Sequence, residues 1–238
     1  MLHTEVSQGF YNFFSILQKQ SLLDLFLYPN CPLCKRPTPQ IPCQDCQQQI
    51  FAYRRSQELP GKMPVWIWGQ YEDSIKRAIA RIKYNNHYQK SCPQLGKIFG
   101  HWLGADWLNY YGDQKKIVIV PIPLHSEKLK KRGFNQAELI AQGFAEMTGL
   151  PLVKNGLIRV KNTPALFGLS VAERKDVMNN ALSVGKKLER YRHCRVLIID
   201  DIFTTGTTIR QAYHCLRQNR FTIWGTVAIA SPRLKSNV

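Results

Sequence analysis

Asp200 and Asp201 stand side by side between an apolar run at 196–199 and a loop that contains Thr204, Thr205, Gly206, Thr207 and Thr208. The threonines can offer successive backbone N–H groups and hydroxyls, and Gly206 permits a tight turn. The predicted helix that follows aims its positive end at the same place. Together these residues suit a phosphate. No Gly-x4-Gly-Lys-Ser/Thr pattern is present, which excludes the nucleotide P-loop. Two carboxylates beside a phosphate would repel it unless they grip something else, and ribose hydroxyls or a hydrated Mg²⁺ are the natural candidates. A sugar phosphate with free 2′ and 3′ hydroxyls meets both halves. The competing reading is an acid pair that caps a threonine-rich turn and binds nothing.

A second constellation lies near the start. Cys31, Cys34, Cys43 and Cys46 form Cys-x2-Cys, eight residues, Cys-x2-Cys. Two such knuckles can present four thiolates to one tetrahedral Zn²⁺, and four protein ligands leave no open position, so the site is read as structural. Five prolines from Pro29 to Pro42 stiffen the connection and lower the entropy lost on closure. A pair of disulfides or a redox Cys-x-x-Cys is the alternative. Cys92, Cys194 and Cys215 lack partner spacing and are expected to be small core residues.

The 33 Lys and Arg outnumber the 16 Asp and Glu, for a net charge of +17 over 238 residues. Such an imbalance favours anionic partners: phosphate metabolites, nucleic acid or acidic headgroups. A merely lysine-rich soluble protein would look the same. No continuous apolar run of about 18 residues exists, so no membrane span is expected. The apolar stretch at 10–28 is broken by Gln18, Lys19, Gln20 and Asp24 and does not read as a secretory signal. A reducing, cytoplasmic setting is expected. Phe10, Phe13, Phe14 and Leu17 would share one helical face, more suited to packing on the protein than to lying on a lipid surface.

Positioning these residues requires a parallel sheet. Residues 196–199 read as a strand, 200–208 as a loop, 209–218 as a helix and 221–230 as the next strand; strand, helix and strand in that order imply right-handed crossovers. Upstream, 117–123 reads as a buried strand, followed by a basic loop and a helix that stops at Gly149 with Pro151 beyond. Residues 65–71 alternate like a half-buried strand after a polar linker. Ile75, Ala78, Ile79 and Ile82 mark an amphipathic helix with a basic surface that includes Lys83. Residues 95–108 continue helically despite their glycines, and Ser170 with Glu173 forms a capping box that predicts a helix start. The fold class is α/β.

The segment around Asp200 resembles the 5-phosphoribosyl-1-pyrophosphate (PRPP) signature of type I phosphoribosyltransferases. The stretch VPIPLHSEKLKKRGFNQAELIA resembles the motif of the ComF family of competence-associated, phosphoribosyltransferase-like proteins, which also carries a four-cysteine zinc module ahead of the main domain. The resemblance covers the chain from about Leu22. It implies a type I phosphoribosyltransferase-like parallel sheet flanked by helices and preceded by a small zinc module. The expected organisation is an N-terminal helical segment (1–27), a zinc module (28–50) and a phosphoribosyltransferase-like domain (63–238).

By the same resemblance Asp200 and Asp201 would hold the ribose hydroxyls, and Thr204, Thr205, Gly206, Thr207 and Thr208 the 5′-phosphate. Lys128, Lys131 and Arg132 are the cations available to pyrophosphate; Arg132 fits best because its fork binds phosphate in two places. Thr163, Ser170, Arg174 and Asn179 match the family's spacing, while Leu166 replaces a frequent glutamine, which leaves the acceptor unnamed. Mg²⁺ with PRPP and a structural Zn²⁺ are the implied cofactors.

Displacing pyrophosphate builds negative charge on the leaving group, which positioned cations and Mg²⁺ stabilise without a Ser, Cys or His nucleophile. None of the six histidines sits in a triad or metal pattern, though His125 lies in the basic loop. The expected activity is a Mg²⁺-dependent phosphoribosyltransferase, or a PRPP-binding protein linked to DNA uptake. The alternative is a non-catalytic protein that handles single-stranded DNA with DNA-uptake partners, with Trp66, Trp68 and Trp107 as exposed rings.

Overall fold

Residues 195–202 alternate little in polarity and are rich in Val, Ile and Leu, as a strand buried on both faces requires. In the computed structural model, which describes residues 28–59, 63–84, 92–160 and 181–232, they form the strand that carries the acids. The chain divides into two compact units, Met1–Cys43 and Gln44–Val238. The first contains a tight knuckle in which the Cys31 N–H donates to the Arg36 carbonyl and the Lys35 N–H to the Cys31 carbonyl, at 2.8 and 2.9 Å.

The second unit begins with α1 (Gln44–Ala52) and continues β1 (Arg54–Leu59), β2 (Val65–Gln70), α2 (Asp73–Lys83), α3 (Pro93–Tyr111), β3 (Ile117–Pro121), α4 (Ser126–Arg132) and α5 (Gln136–Thr148). Then come β4 (Leu157–Arg159), β5 (Leu182–Val184), a 3₁₀ turn (Lys186–Tyr191), β6 (Arg195–Ile202), α6 (Thr207–Gln218) and β7 (Ile223–Ser231). Five strands make one sheet in the order β1-β2-β7-β6-β3. β2, β7, β6 and β3 run parallel, and only β1 is antiparallel to its neighbour. β4 and β5 form a separate antiparallel pair. This is the expected α/β sheet flanked by helices, with helix crossovers joining its parallel strands.

Several boundaries depart from expectation for local reasons. Residues 54–59, read as a polar linker, are an edge strand: β1 bonds its backbone to β2 while its side chains stay exposed. β2 is buried at all six positions, because it sits between β1 and β7 with both faces covered. The basic loop after β3 is largely helical; the His125 side chain caps α4 by accepting from the Glu127 N–H at 3.3 Å, which gives it a structural role. Both acids lie inside β6, and α6 starts two residues early at Thr207. Cys194 and Cys215 are core residues as expected, but Cys92 is only partly buried at the start of α3. Trp66, Trp68 and Trp107 are fully enclosed, so none is a surface ring.

The glycines of α3 explain why that helix tolerates them. Gly96, Gly100 and Gly104 line one face at i, i+4, i+8, and that face meets α5. A Cβ at Gly100 would collide with the Ile140 carbonyl oxygen, and one at Gly143 of α5 with the Lys97 carbonyl oxygen. The two backbones therefore approach as closely as bare peptide allows. α2 buries Ile75, Ala78, Ile79 and Ile82 as its periodicity requires, each large side chain contributing about 1.5–3 kcal/mol. The residues Phe10, Phe13, Phe14 and Leu17, and the 163–179 positions Thr163, Leu166, Ser170, Glu173, Arg174 and Asn179, lie outside the described residues.

Candidate functional site

Parallel strands deliver their carboxyl ends to one side of a sheet, where the following helices begin. β6 ends there at Ile202, and the chain turns through Phe203, Thr204 and Thr205 into Gly206 at the head of α6. Gly206 has φ +74°, the left-handed conformation, and a Cβ there would stand 3.0 Å from Phe203 Cζ. Glycine is thus needed both for the turn and for the space. The resulting cup, about 40 Å³, is lined by Asp200, Ile202, Phe203, Thr204, Thr205, Gly206, Thr207, Thr208 and Ile209. All five residues of the expected phosphate seat, and one of the two acids, line it.

Successive residues of a strand face opposite sides of the sheet, and the acids part accordingly. Asp200 lines the cup. Asp201 is 6% exposed and ion-paired, its Oδ2 lying 2.5 Å from Lys83 Nζ at the end of α2 but off the line of a hydrogen bond. Each acid also steadies the strand end: Asp200 Oδ1 accepts from the Asp201 N–H, and Asp201 Oδ1 from the Ile202 N–H, both at 2.8 Å. Burial and the neighbouring Asp201 carboxylate push Asp200 up to about 8, against the pull of that N–H and of Lys83. Asp200 therefore holds a proton at neutral pH until something positive or hydrogen-bond-donating replaces it.

The lip of the cup carries a cation that sequence reasoning missed. Arg210, one turn into α6, donates to the Thr205 carbonyl at 2.9 Å and to Thr207 Oγ1 at 3.1 Å, while the Thr205 and Thr207 hydroxyls meet at 3.0 Å. Lys83 was missed too, although a signal existed: it follows Ile79 by four residues, on the buried stripe, where a cation belongs only if paired. Arg159, at the end of β4, feels the charge of Asp200. Its Nε is enclosed with no hydrogen-bond partner among the described residues, and burial lowers the guanidinium from its ordinary value against the pull of that carboxylate. Nothing in the local sequence marks Arg159.

The expected pyrophosphate cations sit on α4 and do not line the cup. Lys128 and Lys131 are exposed. Arg132 donates to Gln136 Oε1 at 3.0 Å and lies over the Tyr84 ring, 5.3 Å from its centroid. Their element is nevertheless at the same end of the sheet, since Pro121 of β3 is in register with Ile199 and the Ile122 N–H donates to the Ile199 carbonyl.

The sulfurs of Cys31, Cys34, Cys43 and Cys46 all lie within 4.8 Å of one another, and none of them forms a disulfide among the described residues. Cys34 and Cys43 are 3.6 Å apart, near the edge of about 3.8 Å that a tetrahedron with Zn–S bonds of about 2.3 Å requires. Burial raises the Cys31 thiol, but the N–H groups of Cys34, Cys43 and Leu33 outweigh it and hold the thiol below its ordinary value. Arg36 Nε donates to Cys34 Sγ at 3.5 Å. This donor set fits a structural Zn²⁺ in ligand type, number and spacing.

A parallel sheet with an acid at the carboxyl end of one strand and a threonine-glycine cup opening the next helix defines a phosphoribosyltransferase-like α/β protein. No family model matches the chain. It is 26% identical to Competence protein F of Haemophilus influenzae over 82% of its length and 88% of that protein. It is 29% identical to Competence protein ComFC of Bacillus subtilis, over 78% of the chain and 70% of the relative. It is 25% identical to the DNA utilization protein YhgH of Salmonella typhimurium, over 79% and 78%. With its four-cysteine cluster, the chain is similar to these competence and DNA-utilization proteins over about four fifths of its length. Among solved structures, glutamine phosphoribosylpyrophosphate amidotransferase from Bacillus subtilis matches 63% of this chain and 30% of its own at 21% identity and a TM-score of 0.40.

Proposed function

We propose that this protein binds PRPP with Mg²⁺ at the β6–α6 cup and transfers its phosphoribosyl group, within the competence and DNA-utilization setting that its relatives' names describe. The observation that carries the reading is the cup itself: Asp200 and a glycine-centred run of threonines share one small concavity at the positive end of a 12-residue helix. Thr204, Thr205, Gly206, Thr207 and Thr208 receive the 5′-phosphate through N–H groups and hydroxyls, and Arg210 adds a fork at its lip. Asp200 holds a ribose hydroxyl once it has given up its proton. Asp201, tied to Lys83, fixes the strand end from which Asp200 projects. The hard oxygen donors of Asp200 and the threonines suit Mg²⁺, which when bound neutralises charge on the departing pyrophosphate. Lys128, Lys131 and Arg132, at the same sheet end, are proposed to meet that group.

The four cysteines are proposed to hold a structural Zn²⁺, and the organisation into segments 1–27, 28–50 and 63–238 accompanies that assignment. Calorimetry with PRPP tests the main reading. Saturable binding is expected only with Mg²⁺ and is expected to weaken at least 10-fold in Asp200→Asn. Unchanged binding in that variant overturns the site.

A further inference from the structure

The β4–β5 hairpin carries a polarity that folding alone does not call for. Side chains alternate along a strand: Leu157 is buried, Ile158 is 42% exposed, Arg159 is half-buried, and Val160 just beyond is 55% exposed. Two aliphatic residues therefore face water while the cation is turned inward, the reverse of what burial favours. Leu182, the register partner of Arg159 on β5, is buried, and opposed residues of paired strands share a face. Leu157 and Leu182 pack in one cluster with Val196 and Ile198 of β6 and with Phe203 and Ile209, which line the cup. Val196, Ile198 and Asp200 alternate onto one face of the sheet, so Arg159 is turned toward the side on which that row ends in the cup. The hairpin starts level with the middle of β6: a Cβ on Gly156 would stand 2.9 Å from Val120 Cγ2, and Val120 is in register with Ile198. Three residues further on, Arg159 comes within the field of the Asp200 carboxylate.

In the free protein this inward cation lacks a counterpart. Its Nε is enclosed without a hydrogen bond, and it forms no ion pair among the described residues. A donor stripped of water and given no acceptor destabilises the fold, and such local conflicts collect where a ligand resolves them. The resolving group is an anion with several oxygens, which a guanidinium fork holds in two places. The cup is small, about 40 Å³, and Arg159 is not part of its lining, so its partner is a second group of the ligand, beyond the one seated in the cup. With the 5′-phosphate on the threonine-glycine run and a ribose hydroxyl on Asp200, one anion of PRPP remains. Its pyrophosphate is attached on the ring face that bears those hydroxyls, which puts a cation near Asp200 on the leaving-group side.

We propose that Arg159 is a further ligand-binding residue of this site, its inward guanidinium receiving the pyrophosphate of PRPP. The inference rests on the PRPP reading of the cup and adds to it a residue from the β4–β5 hairpin, an element that supplies none of the expected ones.

Calorimetry on the full chain in Mg²⁺ tests it by comparing PRPP with ribose 5-phosphate, which lacks only the pyrophosphate. The parent is expected to prefer PRPP. Arg159→Met should lose about 10-fold or more in PRPP affinity, as the loss of a charge-assisted pair implies, and should keep its ribose 5-phosphate affinity within about 2-fold. Arg159→Lys, which restores the charge but not the fork, should fall between the two. Asp200→Asn should weaken both ligands, because both bring the same hydroxyls. Without ligand, Arg159→Met should melt at or above the parent, since it removes an unpartnered inward charge and keeps an aliphatic stem. Equal PRPP affinity in parent and Arg159→Met, loss of both ligands together, or a ligand-free melt well below the parent's each overturns the assignment of Arg159 and leaves the PRPP reading standing. A parent that binds neither ligand overturns that reading, and the assignment with it.

Discussion

Asp200 is the residue at which stability and binding pull apart. Its folded-state value near 8 lies far above the ordinary carboxyl value of 3.8, so the native state keeps a proton that the unfolded chain releases. Stability therefore falls as pH rises from about 4 towards 8. Asp200→Asn removes that cost, and its melting temperature is expected to exceed the parent's by a margin that grows across this window, while the proposed PRPP binding is expected to weaken. A melting difference that stays flat with pH would contradict the assignment. In the parent, the same proton should make Mg²⁺-dependent PRPP affinity rise towards pH 8, with a plateau above it, measured by calorimetry in buffers of differing ionisation heat. Lys83 behaves in the opposite way. Its partner Asp201 is nearly enclosed, so Lys83→Met leaves a stranded carboxylate and should cost about 3–5 kcal/mol in chemical denaturation. Asp200 and the threonine-glycine run were legible in the sequence because they follow one another directly from a buried apolar strand into the head of a helix. Lys83, Arg159 and Arg210 were not, because their roles arise from elements that meet only in three dimensions.

At the scale of elements, the contact between α3 and α5 rests on missing side chains. Gly100→Ala places a methyl group against the Ile140 carbonyl. Such overpacking costs about 1–3 kcal/mol, even though alanine is the better helix former. A denaturation midpoint equal to or above the parent's would show that the helices can part without penalty. Strand polarity, helix α2 and the stop at Gly149 could all be read from periodicity and caps. β1 could not: its polar sequence RRSQEL contains no alternation, since an edge strand bonds through its backbone and asks little of its side chains. The 126–132 segment misled in a similar way. Its charges suggested a loop, but a capping side chain and Gly133 at φ +80° define a short helix independently of burial.

At the scale of the whole molecule, the chain combines a four-cysteine cluster and a threonine-glycine cup within 238 residues and a net charge of +17. About one equivalent of zinc should accompany the purified protein, measured by elemental analysis. Replacing any one of Cys31, Cys34, Cys43 or Cys46 with serine should release it and lower thermal stability, because metal binding supplies folding energy to so short a segment. Retention of a full equivalent in all four variants would exclude the site. The sequence conveyed the total charge but not its placement, since Arg195 meets Lys116, and Arg192 meets Asn219, only in the folded chain.

The two margins of the sheet are finished differently. β3 is flanked by residues 151–153, with the Ile119 N–H donating to the Pro151 carbonyl and the Val153 N–H to the Ile119 carbonyl. β1 instead presents Arg54, Arg55 and Glu58 and an irregularity in its pairing between Arg54 and Gln57. Charge and a broken register are poor templates for an incoming strand. Concentrated solutions should for that reason resist fibril growth: a molecule that closes one flank with its own backbone and arms the other with charge gives a foreign ribbon nowhere to begin.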